Sequence, residues 1–351
     1  MRMTFFWGLM LLSSLTHAKT DVLFLNPGTS DESFWHDVDS LLTVAAAKYD
    51  FDVKTLHSNR NHFEMIRQAT EAAASTTLPK YVILVNEKQS GARMLEAFYQ
   101  KPVYVQFLLN DLKPLERGAL LRDPHWSKYL LPPVVPDNRS IGYQTARALM
   151  AGLGKDKPAQ VVLISGDKST PASVQRTEGA LAALQSMAEI STEQTVYGQW
   201  QEAKAYQQTQ ILLSRYPKLD AVWTANDLMA FGAIRAIRES GREPGRDVRI
   251  ATINTSPEVL AARRSGEINV LGGGHCLAAG VALANLRQHN VSGHYPDSRY
   301  PLFWMLNPDS EFFSALERRD WDFLLNMTLI APMDGDESQM VLCDGPVTGC
   351  R

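Results

Sequence analysis

Phe34 and Trp35 stand together shortly after an apolar run, Asp21–Asn26, at a point where the chain turns from strand into helix. Flat aromatic faces at such a junction suit a sugar ring, whose C–H faces are apolar while its hydroxyls need hydrogen bonds around the rim. Packing into the core is the competing role for both rings. Asn226 and Asp227 follow a second apolar run, Ala221–Ala225, in the same way. An asparagine side chain donates and accepts, which matches a pair of hydroxyls. The aspartate beside it suits the cap of the helix that follows. His275 closes Gly272-Gly273-Gly274, where bare backbone admits close approach of a ligand. Two roles fit its imidazole: donor to a hydroxylated or anionic ligand, or buried and satisfied core residue.

Groupings that make or break bonds are absent from the sequence. Gly166-Asp167-Lys168-Ser169 lacks the Gly-x4-Gly-Lys spacing that cradles phosphate. No Gly-x-Ser-x-Gly, His-Glu-x-x-His or Cys-x-x-Cys occurs. The eight histidines are scattered, with only His57 and His62 near each other, and the three cysteines match no zinc spacing. The reading therefore predicts no catalytic residue, no metal and no cofactor. Cys343 and Cys350 are spaced so that a disulfide is permitted without being demanded, leaving Cys276 as a buried thiol.

These residues need a scaffold, and the hydrophobic pattern describes one. Strands are predicted at Asp21–Asn26, Phe51–Leu56, Tyr81–Val85 and Val103–Phe107, then at Val161–Ser165, Thr195–Tyr197, Ala221–Thr224 and Val248–Ile253. Amphipathic stretches between them, such as Phe34–Tyr49 and Leu228–Ser240, read as helices. Continuous apolar strands alternating with helices indicate parallel sheets covered on both faces, and two successive series predict an α/β fold of two similar lobes. The proline-rich Leu131–Asn138 segment separates the series as a crossover or hinge. The expected limits are 19–135 plus 273–299 for the N-terminal lobe, 136–272 plus 300–330 for the C-terminal lobe, and a tail at 331–351.

The first 18 residues differ from the rest. A basic start, an apolar run from Phe5 to Leu15 and small residues near Ala18 read as a cleavable secretory signal, too short to span a bilayer. The expected location is the periplasm. A net charge of −3 over 351 residues gives no reason to expect nucleic acid, and the chain is expected to be a monomer.

Three segments in order resemble the type 1 periplasmic binding proteins of the ribose and galactose kind, leaning toward the branch that includes the autoinducer-2 receptor. They are Ala221–Ile237, with its strand–Asn-Asp–helix stretch; Gly166–Gly179, with Arg before Gly; and Asp31–Trp35 at the first helix. The resemblance implies two sheets joined by hinge strands, with a ligand held in the cleft between them. It implies ligand contacts from Glu32, Phe34, Trp35, Arg176, Trp200 and Asn226. An arginine fork can hold two hydroxyls at once, whereas an exposed helix charge is the plainer role for Arg176. The chain departs from the ribose-binding pattern at Asn254, where the family has an acid, at Gln106-Phe107-Leu108, where it has Asp-Arg, and at His275. Phe107, Asn254 and His275 complete the expected contact set, and their chemistry puts ribose itself in doubt.

The function expected is a solute receptor for an ABC importer, taking a small polar, sugar-like ligand and doing no chemistry on it. The alternative is a sensor that presents its ligand state to a membrane histidine kinase, with the aromatic-rich Leu302–Asn326 segment either docking a partner or packing across the hinge.

Overall fold

The computed structural model describes residues 19–151, 153, 158–296, 300–330 and the backbone of 341–343. The secretory signal expected at 1–18 lies outside the described residues, as do Cys350 and the side chain of Cys343, the pair for which a disulfide is permitted. Among those described, no helix is long and apolar enough to cross a membrane.

The first series runs β1 (Thr20–Asn26), α1 (Ser33–Tyr49), β2 (Phe51–His57), α2 (His62–Ala74), β3 (Tyr81–Leu84), α3 (Gly91–Phe98) and β4 (Tyr104–Phe107). Its strands pair in the order β2-β1-β3-β4, all parallel. Phe24, Leu25, Val82, Ile83 and Leu84 are fully buried, as a sheet covered on both faces requires. Two short helices, α4 (Pro114–Leu120) and α5 (Pro124–Tyr129), lead to the proline-rich crossing, after which α6 (Asn138–Met150) opens the second series.

That series continues β5 (Ala159–Ser165), α7 (Pro171–Gln185), β6 (Ile190–Tyr197), α8 (Glu202–Arg215), β7 (Ala221–Thr224), α9 (Asp227–Glu239), β8 (Arg249–Ile253), α10 (Pro257–Ser265) and β9 (Val270–Gly273). It repeats the order of the first sheet as β6-β5-β7-β8-β9. All the expected strands form. β9 escapes sequence reading because Gly272 and Gly273 interrupt its apolar pattern. The chain then returns through α11 (Ala278–Ser292), which packs on α1. β10 (Phe303–Met305) joins β9 antiparallel, α12 (Glu311–Arg318) and α13 (Trp321–Ile330) follow, and β11 (Val341–Cys343) pairs with β10.

The last helices touch both halves. Arg264 of α10 grips Glu317 of α12 with two hydrogen bonds, at 2.8 and 2.7 Å. α13 lies on α1, where Lys48 donates to Asp322 (2.9 Å) and Asn326 (2.7 Å). Between them, Arg319 donates from one nitrogen to Asp37 of α1 (3.1 Å) and to the carbonyl of Thr255 after β8 (2.8 Å).

Helices α6 and α7 approach so closely that glycine is needed at their contact. A Cβ on Gly142 would stand 2.0 Å from the Arg176 carbonyl oxygen, and one on Gly179 would stand 1.9 Å from that of Arg139. Gly142→Ala should therefore destabilise the protein by about 1–3 kcal/mol through overpacking. Gly118→Ala in α4, where a Cβ meets nothing within 4 Å, should leave stability unchanged or raise it slightly. Urea denaturation of the two variants checks the contrast.

Burial raises the Asp37 carboxyl to about 7 despite Arg319 beside it. The folded chain then binds a proton that the unfolded chain releases near pH 4, so this group's contribution to stability falls as pH rises from about 4 to about 7. Relative to Asp37→Asn, the wild type should lose about 2–4 kcal/mol across that window, measured by denaturant unfolding at stepped pH.

Candidate functional site

Both sheets present the carboxyl ends of their strands to a shared crevice, and each has a reversal of strand order there, between β1 and β3 and between β5 and β7. Open α/β sheets bind ligands at such switch points. A cavity of about 60 Å³ lies in the crevice. Its walls come from the loops after β1 (Glu32, Phe34, Trp35), β2 (Arg60), β3 (Glu87) and β4 (Leu109, Asn110) on one side. On the other they come from the loops and helix starts after β5 (Thr170, Ala172, Arg176), β6 (Trp200), β7 (Asn226, Asp227), β8 (Asn254) and β9 (His275). Two hydrogen bonds already cross the crevice: the Ala172 amide donates to Asn110 (2.9 Å), and Gln89 donates to the Ser169 carbonyl (3.3 Å).

Arg176 is only 5% exposed. Its Nε donates to Asn138 (2.9 Å) and its Nη1 to the Ala225 carbonyl (2.8 Å), and the guanidinium lies 5.4 Å from the Phe303 ring centre. No described carboxylate stands within ion-pair distance, and burial lowers its pKa to about 9. This is the interior position expected of a ligand-holding arginine and not an exposed helix charge.

Both Asn226 and Asp227 line the cavity, but it is Asn226 and not Asp227 that caps the helix. Asn226 caps α9, accepting from the Met229 amide at 3.0 Å, and so spends its oxygen on the helix. Asp227 is fully buried: one carboxylate oxygen accepts from Asn254 (2.8 Å) and from the Leu228 amide (2.9 Å), and the other has no hydrogen bond. Asn254 likewise keeps a buried, unpartnered carbonyl oxygen.

Phe34 stacks on His275 with ring centres 4.4 Å apart, and His275 continues to Phe303 at 4.7 Å. Burial, aided by Arg176, holds the imidazole well below its usual pKa, so it is neutral at pH 7. Its Nδ1 and the Trp35 Nε1 are buried without partners. Trp200 lies flat against Gly166, where a Cβ would stand 2.3 Å from the indole, and its Nε1 donates to Asp167 at 2.9 Å. Burial opposes ionisation of Asp167, yet bonds from Thr170 and Ser169 bring its carboxyl down to about 2.

One expected contact is misplaced. Phe107 is fully buried in the core against Gly91 and does not line the cavity. The lining positions after β4 belong instead to Leu109 and Asn110, two and three residues on. Sequence reading also passed over Arg60, Glu87 and Asn138. Arg60 donates to Glu32 through two nitrogens, one bond measuring 2.9 Å, and faces Glu87 at 3.6 Å. Glu87 is 1% exposed with one oxygen unbonded, and burial raises its pKa against the pull of Arg60. No motif marks these residues; for Arg60 and Glu87 the available signal was their position just past the ends of β2 and β3, and for Asn138 its place at the start of α6 after the proline-rich crossing.

Left-handed backbone concentrates around the same opening. Asn59–Arg60, Lys88–Gln89 and Gln199–Trp200 are three consecutive non-glycine pairs with φ between 48° and 64°. Such geometry costs of order 1 kcal/mol or more per residue and persists where surrounding structure enforces it. Here hydrogen bonds from the amides of Asn59 to Gly28 (3.2 Å), Arg60 to Pro27 (2.7 Å) and Gln199 to Gly166 (3.0 Å) do so.

The periplasmic binding protein domain model matches residues 22–286. Among curated proteins, the chain is similar to the galactofuranose-binding protein YtfQ of Escherichia coli (strain K12), with 26% identity over 144 residues, 40% of this chain and 45% of that protein. It is also similar to the D-allose-binding periplasmic protein of the same organism, with 28% identity over 109 residues, 31% of this chain and 35% of that one. The chain thus spans less than half the length of these curated relatives. Among solved structures, a periplasmic sugar-binding protein from Pseudomonas fluorescens aligns over 87% of this chain and 92% of its own, at 31% identity and a TM-score of 0.77. With the family model covering most of the sequence over two sheets that meet at one crevice, the chain belongs to the periplasmic binding proteins.

Proposed function

We propose that this chain is a periplasmic receptor that traps one monosaccharide-sized, hydroxyl-rich molecule between its lobes and delivers it to an ABC importer. The observation that carries the reading is the set of unsatisfied polar atoms around the crevice. Acceptors on Glu87, Asp227 and Asn254, and the Trp35 indole donor, are buried without hydrogen bonds. A buried polar group without a partner costs about 1–3 kcal/mol, so a guest offering both donors and acceptors recovers that cost. Neutral sugars do so, and the Phe34 and Trp200 rings offer apolar faces beside the polar atoms. The cavity has room for on the order of five waters, the displacement of a single sugar ring and not of a disaccharide.

The names of the relatives support the same class, since they include a galactofuranose-binding and a D-allose-binding protein. The expected lobe limits, 19–135 plus 273–299 and 136–272 plus 300–330, fit a receptor that closes by bending at the crossings near 136, 273 and 300. Closure stabilises one relative orientation because Phe34 and Trp35 on one side and Arg176 and Asp227 on the other share the guest. We read the site as binding without reaction: its carboxylates and neutral imidazole serve as hydrogen-bonding groups. The sensor alternative rested on the aromatic-rich Leu302–Asn326 segment. Its Phe303, Trp304, Phe312, Phe313 and Trp321 are buried, and no observation on the surface favours that reading.

A thermal-shift panel of pentoses, hexoses and their furanosides should contain at least one compound that raises the melting temperature by mass action; a panel without any such compound sinks the sugar reading. Arg176→Met should abolish that rise, with affinity falling at least tenfold by calorimetry. Because a desolvated cation without an ionic partner costs stability, the ligand-free variant should melt no lower than the wild type.

A further inference from the structure

The crevice holds two adjoining spaces, the inner cavity of about 60 Å³ and an outer one of about 680 Å³. They share five lining residues: Glu32, Arg60, Glu87, Trp200 and Leu228. These five form the partition between chamber and mouth. Resting on the sugar-receptor reading above, we propose that Arg60 is the residue that sets the size limit of the guest, by plugging the neck through which any extension of the sugar would have to pass.

The plug is built and not incidental. Glu32 holds the Arg60 guanidinium edge-on through two nitrogens, and Glu87 faces it from the next loop. Its cationic head lies 5.8 Å from the Trp35 ring centre. Its backbone is left-handed and tied to Pro27 in the loop that carries Glu32 and Trp35. The opposing rim is as firmly set, with Trp200 pinned by Asp167 and by the close approach of Gly166. A long side chain fixed at its head and its backbone is a wall, whereas a solvated arginine would swing aside. Trp200 cannot substitute for it, because its ring is already committed to Gly166 on the other lobe.

The test uses whichever panel sugar binds the wild type, with its n-butyl ethers, one for each hydroxyl. Wild type should bind the parent sugar and reject every ether. Arg60→Ala should admit at least one ether at least tenfold better than the wild type does. Arg60→Met, which keeps the length without the charge, should still reject them. Glu87→Gln combined with Arg60→Ala repeats the measurement without a buried unpaired carboxylate, should Arg60→Ala alone fail to fold. Continued rejection by the folded alanine variants while the parent sugar binds overturns the plug, as does ready acceptance of the ethers by wild type. If no sugar binds any of the proteins, the receptor reading falls and the plug with it.

Discussion

Arg176 keeps its positive charge inside the protein, answered by a side-chain amide, a carbonyl, the face of Phe303 and the more distant Asp227 carboxylate, with no carboxylate in direct contact. Water would solvate that charge far better, so the fold carries a standing cost at the point where its two halves meet. Everything around the crevice follows the same logic. Asp227 and Asn254 bond to each other and still leave an oxygen each unmatched, and Glu87 is sunk beside Arg60 with one oxygen facing the guanidinium at 3.6 Å but without a hydrogen bond. The hydrophobic cores of the two sheets supply the stability that lets these groups stay dry and in place. The crevice is organised in advance for a partner, and its members gain most when one arrives.

Much of the architecture was legible because parallel strands buried on both faces write themselves as short continuous apolar runs. β1, β3, β5 and β7 are of that kind, and the loops that carry Phe34, Trp35 and Asn226 begin where such a run stops. Those three and His275, next to its glycines, were within reach of residue-level reading, whereas Glu32, Arg176, Trp200 and Asn254 were reached through the family resemblance. Phe107 failed for a geometric reason: the strand ends on a core-facing residue, and the chain must travel two positions further, to Leu109, before it meets the crevice, and three before a polar side chain does. Arg60 and Glu87 were invisible because their importance arises from being adjacent in space while lying on different loops. The roles of Asn226 and Asp227 could not be divided from composition, since either side chain satisfies a helix start and only the backbone direction decides which one does.

The three left-handed pairs explain how loops achieve the precision of regular structure here. Each pair reverses the chain within two residues immediately after a strand, so a charged or aromatic side chain is aimed into the crevice from a rigid base. Amide bonds to the neighbouring β1 and β5 loops lock two of these reversals. Two hydrogen bonds crossing between Asn110 and Ala172 and between Gln89 and Ser169 then set the spacing of the rims.

The contacts of α13 bear on how the molecule comes to be made. Lys48, in α1, bonds to Asp322 and Asn326, separated from it by 274 and 278 positions. Leu325 fills the space left open by Gly280. Pairings between residues so far apart in sequence are slow to form, and none of these can form before α13 has been made. The outer face of α1 is thus covered late, by a helix that the chain supplies long after both sheets are complete.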